Sequence, residues 1–416
     1  MSASDLFGSI ECLASSPGSI AVTALTAVRF GDAYYLAMRT PAGVGVARRG
    51  SDESCWQALY PAGGEALMLV EPASLPFLPP LVFAVVDGSV PRLFTNAFQE
   101  HGVALAWIDT AESFRPATGL PEGYGPVTTL LAHESRLFVA VAGDVINGNA
   151  PTLWWSEDPC EERWRTIAGS PFDDSAQAMI THLIAWRGQL YVAVASAERG
   201  LQLWRAGLTT EGVVDDWHCV LRDGAGRYTG NREALALTVW HDQLYLAAGR
   251  TGQTAANARP LGVELLRVDP EDHWEILAGG VRFTPEGLKA PLASIGPGFG
   301  DPAYVNLLGL FGHRGALYVA TSTLPGVGEP VRQQLWVGRE GEQFDLLEWP
   351  ASLIEAAQLW LALIYLGDSV LMGTGALPGV MESESDGAQS STADSVVIAS
   401  DTDALPPGLA LWRWSL

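Results

Sequence analysis

The chain has 416 residues, 48% hydrophobic and only 17% charged, with 45 glycines and 26 prolines; this excludes a disordered chain and implies a turn-rich protein with a large buried core. The net charge is −23 and Lys289 is the only lysine, so the surface repels phosphate backbones, and nucleic acid and anionic membranes are excluded as partners. No basic and apolar leader opens the sequence, no run reaches transmembrane length, and the four cysteines (Cys12, Cys55, Cys160, Cys219) form no CxxC pair; the expectation is a reduced, cytoplasmic protein.

In chain order, the first apolar run is Ile10-Glu-Cys-Leu13. Next come the turn Gly31-Asp32, the phrase Tyr34-Tyr-Leu-Ala37, and Trp56. Ala66 to Val70 is an apolar strand candidate, followed by a Pro-rich stretch from Glu71 to Pro80 and the phrase Leu81-Val-Phe-Ala84. The turn Glu134-Ser135 then leads into Leu137-Phe-Val-Ala140, Leu153-Trp154 and Trp164. The pattern repeats from Ile180 to Trp186, through Arg187-Gly188, Leu190-Tyr-Val-Ala193 and Leu203-Trp204, to Trp217. It returns from Leu235 to Trp240, through His241-Asp242 and Leu244-Tyr-Leu-Ala247, to Trp274. Leu317-Tyr-Val-Ala320 with Leu335-Trp336 is a further copy, and Gly367-Asp368, Val370-Leu-Met-Gly373 and Leu411-Trp412 are the last.

Each copy is one unit of four antiparallel strands, A to D: an apolar strand, a tight turn, the phrase ending in a small residue, a Leu-Trp strand and a Trp-led strand. The small residues fall at intervals of 47, 56, 53, 54, 73 and 53 residues. A sheet with two apolar faces cannot cover both alone, and stacking such units around an axis covers each with a neighbour. The fold expected is therefore all-β: a single seven-bladed β-propeller over residues 1–416, six-bladed if the second unit fails. The chain stops on a strand C, Leu409 to Leu416, and Ile10–Leu13 resembles the strand D segment Trp274–Leu277. Residues 1–16 are thus expected to close the last blade and remove its open edge.

These units resemble the bacterial propeller repeats of the form LYVGT…ELWR…W, over nearly the whole chain. Gly-His and Trp-Asp signatures do not recur, so the units are unlike WD40 repeats, and Kelch double glycines do not recur either. Ser156 to Trp164 resembles a loose Asp-box of sialidase-type propellers, one residue too long. A more distant resemblance is to the propeller of Friedel–Crafts alkylating enzymes that form cylindrocyclophane-like products. Those enzymes carry a calcium-binding repeat domain beside the propeller; this chain has no Gly-Gly-x-Gly-x-Asp repeats, and no catalytic residue carries over.

Loop length marks one face of the propeller. A–B turns are short, whereas the D–A crossovers (Thr110 to Pro126, Asp223 to Glu233, Val281 to Tyr304) and the B–C loops are long. The B–C loops are Gly143 to Ala150, Arg250 to Leu261, Thr323 to Arg332 and Ala376 to Pro407. Long loops gathered on one side suggest a ligand site at the mouth of the channel there. Substrate-binding candidates are Arg227, Tyr228, Arg250, Arg282 and Lys289, cations and a phenol suited to an anionic or electron-rich small molecule; the alternative is that each arginine pairs with a local carboxylate. Catalytic candidates are Arg232, Asp301, Tyr304 and His182, which is read as beginning inner strand A of blade 4 where other blades have Thr26, Thr129, Ala236, Leu307 and Leu361. His133, His241 and His313 are read as turn residues of the opposite face. No spacing groups metal ligands, and no P-loop or dinucleotide context is present, so no cofactor is expected. The acidic segment 376–407 is expected to be mobile. Two functions fit: a monomeric cytoplasmic tailoring enzyme performing cyclisation, alkylation or lyase-type chemistry on a small molecule, or a non-catalytic scaffold that grips a protein or glycan.

Overall fold

The computed structural model describes residues 10–15, 22, 24–40, 43–51, 53, 56–60, 80–96, 105–108, 114–117, 119–120, 126–143, 150–161, 163–167, 171, 178–210, 212–213, 216–250, 261–324, 331–339, 342–349, 359–375 and 409–415. The expected strand at Ala66–Val70, the segment 376–407 and the interiors of the B–C loops (144–149, 251–260 and 325–330) lie outside the described residues.

Seven antiparallel sheets form a seven-bladed β-propeller; in six of them strands A to D run in sequence order from the innermost strand outward, and the seventh takes its strand D from the N-terminal Ile10–Ser15. Blade 4, for example, runs Ala178–Trp186, Gln189–Ser196, Gln202–Thr209 and His218–Leu221. The A–B connections are tight because their central residues adopt positive φ: Glu134 and Ser135, Arg187 and Gly188, His241 and Asp242, and Arg314 and Gly315. Two such residues in succession give the hairpin twist that matches the strands.

The core is a series of seams between blades. One seam joins Phe138, Leu153 and Ile180 to Val192, across blades 3 and 4. Another joins Leu201 and Leu203 to Leu246 and Leu266, across blades 4 and 5. The small residues on strand B are fully buried at Ala37, Ala140, Ala193, Ala247 and Ala320. Gly373 shows why smallness is required: a Cβ there would lie 2.1 Å from Leu25 Cδ2 of blade 1. The tryptophans of strand C fill the outer seams, and in three blades their indole N–H groups are satisfied locally. Trp154, Trp204 and Trp336 each donate to the side chain two residues earlier, Thr152, Gln202 and Gln334.

Blade 2 differs from the sequence expectation. Leu81-Val-Phe-Ala84 does not form strand B; Phe83–Val86 is the innermost strand of its sheet, and strand B is Arg92–Thr95, with Phe94 paired to Ala84. The phrase misled because Leu93-Phe94 continues into Thr95-Asn96 rather than Val-Ala. Asn96 occupies the small-residue position and is buried. Its amide accepts from Val82 N–H and donates to the carbonyls of Pro80 (2.8 Å) and Val127 (3.3 Å). A side chain thereby supplies hydrogen bonds that a longer strand A would have supplied, and it ties blade 2 to blade 3.

The ring closes as the sequence implies. Ile10–Ser15 pairs antiparallel with Leu409–Ser415, from Ile10 opposite Trp414 to Ser15 opposite Ala410, and becomes strand D of blade 7. Leu13 joins the seam formed by Val22, Leu25, Leu36 and Leu411. Leu13→Ala should cost about 2–3 kcal/mol. Removal of residues 1–15 should cost more and promote aggregation through the uncovered edge of Leu409–Ser415. Melting curves test this: a truncated protein that melts at the full-length temperature overturns the strand assignment.

Candidate functional site

Cations on the two faces have different tasks. On the A–B and C–D face several of them tie one blade to the next. Arg92 pairs with Asp158 at 3.4 Å, Arg267 with Glu342 at 3.1 Å, and Arg29 with Asp368 at 3.3 Å. Arg205 and the Tyr191 hydroxyl of blade 4 both reach Asp272 in the C–D turn of blade 5. Burial, reinforced by the Asp272 charge, raises the Tyr191 pKa. His133, His241 and His313 also lie on this face, at or beside A–B turns; His313 Nδ1 is 3.0 Å from the Tyr365 hydroxyl.

On the opposite face, two D–A crossovers pack around Glu264, the first residue of strand C in blade 5. Glu264 is fully buried. Its carboxylate accepts from Arg282 Nη1 at 2.9 and 2.8 Å, from Asn231 Nδ2 at 2.6 Å and from Gly280 N–H at 2.6 Å, with Arg227 Nη1 at 3.0 Å. Arg282 also donates to the Ala225 carbonyl at 2.6 Å. Burial lowers the pKa of Arg282, and Glu264 opposes that shift. Local backbone brings the first crossover in: Gly224 and Ala225 lie in the left-handed region, making a tight reversal at Asp223–Gly226. Gly200, at φ +78°, lies beneath it, and a Cβ there would sit 2.0 Å from the Tyr228 carbonyl oxygen. Arg227 and Arg282, expected to bind substrate, are thus engaged by a carboxylate of the protein.

The other expected residues divide into three groups. Lys289 is not at the channel mouth. Its Nζ lies 4.2 Å from the centroid of the Trp274 ring and donates to the Trp274 carbonyl at 2.7 Å, on the outermost strand of blade 5. Tyr228 is exposed, at 62%. The inner rim holds the remainder. Arg232 precedes strand A of blade 5 and donates its N–H to Gly249, next to exposed Arg250. Burial lowers the Arg232 pKa, Glu233 opposes that, and the Arg250 charge adds to the lowering. Asp301 and Tyr304 introduce strand A of blade 6. Arg332 joins them, 3.1 Å from Asp301 Oδ2 and with its guanidinium 5.3 Å from the Tyr304 ring centroid. Sequence reasoning used Arg332 only as a loop boundary; its pairing across 31 residues has no local signal.

His182 stands mid-strand, not at the start of strand A. A β-bulge between Ile180 and His182 sets it opposite Ala193. The same irregularity recurs before Thr129, Ala236, Gly309 and Ala362, so its counterparts in blades 6 and 7 are Gly309 and Ala362 rather than Leu307 and Leu361. His182 is the one imidazole among these small residues. Part of its surface remains exposed, but Nδ1 is shut off from solvent and has no hydrogen-bond partner. Burial pushes its pKa down to about 4. Among the described residues no three histidines, cysteines or carboxylates gather as a metal site, and no helix is long and apolar enough to cross a membrane.

No family model and no curated protein matches this chain. Solved structures do: the puromycin hydrolase crystal structure is 16% identical with a TM-score of 0.54, covering 88% of this chain and 51% of that one. Its S511A mutant complexed with PGG is 14% identical, with a TM-score of 0.54 and coverage of 87% and 51%. A Mycobacterium tuberculosis puromycin-hydrolyzing peptidase is 14% identical, with a TM-score of 0.50 and the same coverage. The chain spans about half the length of these structures. At such identity the likeness gives the propeller architecture; it extends to neither the repeat family nor the Friedel–Crafts enzymes that the sequence resembles.

Two predictions follow from buried charge and buried neutrality. Glu264→Gln should cost about 3–5 kcal/mol in urea unfolding, because two guanidinium groups lose their counter-charge. Adding Arg282→Met to Glu264→Met should recover part of that loss; a Gln variant as stable as the parent would show that the triad does not hold the crossovers. For His182, the folded pKa of about 4 lies below the unfolded value of 6.5, so the unfolded chain binds more protons between these values. This contribution is fully present above pH 6.5 and lost as pH falls towards 4, on the order of 3 kcal/mol. His182→Gln should flatten the stability profile in that window; an unchanged slope would mean that His182 titrates normally.

Proposed function

We propose that the propeller binds a small anionic molecule at the inner rim of blades 5 and 6, and that it is a tailoring enzyme performing acid–base chemistry there. The observation carrying this reading is the convergence of cations at the starts of strands A in blades 5 and 6: Arg232 donates its backbone N–H to Gly249, next to exposed Arg250, and Arg332 meets Asp301 and Tyr304. Asp301, Tyr304 and Arg332 offer a carboxylate, a phenol and a further cation at the entrance of the next inner strand. In this reading Arg232 and Arg250 hold the anionic group, and Asp301 and Tyr304 move a proton during cyclisation, alkylation or lyase-type chemistry. His182, two blades from Tyr304, acts through the shape of the channel wall. The puromycin hydrolases set a precedent for a propeller in a protein that acts on a small molecule.

A second reading, a scaffold for a macromolecular partner, is favoured by one feature: Phe283, 81% exposed on the same face of the molecule. The readings separate in a thermal-shift screen of small aromatic and aliphatic carboxylic acids. The parent protein should be stabilised by some of them. Arg232→Ala and Asp301→Ala should lose that response while melting, without ligand, within a few degrees of the parent, since rim residues contribute little to the seams. Equal responses from parent and variants would remove the rim as the binding site.

A further inference from the structure

The insertion between blades 5 and 6 contains a hairpin, Arg282–Thr284 paired with Gly287–Lys289. Its two faces have the reverse of the usual polarity. Side chains alternate across a two-stranded sheet. Arg282 and Lys289 oppose one another and turn inward, Arg282 onto buried Glu264 and Lys289 onto Trp274. The alternate residues Phe283 and Leu288, also directly opposed, are therefore turned to solvent, at 81% and 60% exposure. Val281 is 62% exposed, Ala290 is exposed beside it, and Leu292 is 40% exposed. A hairpin free to choose would bury its apolar face and hydrate its charges. Here the Glu264 ion pairs and the Trp274 contact fix the opposite choice, leaving a contiguous apolar surface of the kind that marks interaction sites.

We infer that the outward face of this hairpin, Val281, Phe283, Leu288 and Leu292, docks into an apolar slot rimmed by basic side chains on a protein partner. The inference does not depend on the small-molecule reading. Charge selects the partner. The chain carries −23, Glu286 stands exposed at the hairpin turn, and the hairpin's two cations both point inward. A cationic rim is the complement of that surface. Charge disfavours a second copy: pairing would bring two strongly acidic bodies together.

The test uses random peptides displayed on phage, selected on the full chain and scored against Phe283→Asp/Leu288→Asp. Both side chains are exposed, so the double variant should keep the parent melting temperature; Phe283→Ser is a milder control should it not. Selected sequences should combine large apolar residues with Lys or Arg and weaken as salt is raised. They should bind the variant at least about tenfold less tightly, as expected for loss of central apolar anchors. Peptides that bind both proteins equally, or that are acidic or uncharged, overturn the inference. So does a concentration-dependent dimer in sedimentation that the substitutions abolish, which would make a second copy the occupant. Flotation with phosphatidylcholine vesicles, lost in the variant, would assign the face to lipid and overturn it equally.

Discussion

Every blade of this protein is a sheet that is apolar on both faces, and that is the constraint on which the rest depends. A single such sheet leaves one face or both in water, so no blade is stable without its two neighbours, and the set is satisfied only when the ring closes. Closure therefore falls to the pairing of Ile10–Ser15 with Leu409–Ser415. The same constraint accounts for the small residues on strand B. Near the axis the blades converge until Leu25 of blade 1 lies against the backbone of Gly373, whereas farther out they diverge and tryptophans fill the space.

With so few cations in the chain, where each one goes is informative. Several of those on the A–B and C–D face link consecutive blades through surface pairs individually worth little, about 0–1 kcal/mol. Arg227 and Arg282 have a different character. Each is more than four-fifths buried against a carboxylate that no solvent reaches. A buried ion pair of this kind adds little net stability over an apolar replacement, but removing one partner leaves a buried charge uncompensated. What these pairs specify here is the position of two crossovers relative to the start of strand C in blade 5, and hence which side of the hairpin faces out. The rim residues Arg232, Arg250, Asp301 and Arg332 stand outside that arrangement; Arg250 is exposed, and Asp301 and Arg332 pair at the surface. One buried carboxylate thus connects the packing of the scaffold to the outward face of the hairpin.

The sequence by itself determined the architecture. A repeated phrase with a small residue at its end, a tight polar turn before it and tryptophans after it can be read locally, because strand period and turn chemistry are local properties. It also implied the closure, since an orphan strand D and a missing strand D are complementary wherever they lie. Blade 2 was the exception: the phrase Leu81–Ala84 falls on strand A, and a buried amide at Asn96 stands in for the small residue, a substitution visible only from its hydrogen bonds to Pro80, Val82 and Val127. Tertiary structure alone decided the roles of the charged residues. Arg282 and Lys289 were as plausible at a channel mouth as Arg232, until packing placed one on Glu264 and the other on Trp274. Asp301 meets Arg332, and Arg227 meets Glu264, across 31 and 37 residues of chain, distances at which sequence carries no pairing signal. The physical reason is that an ion pair is set by where folded elements meet, and that meeting is a property of the closed ring rather than of any one segment.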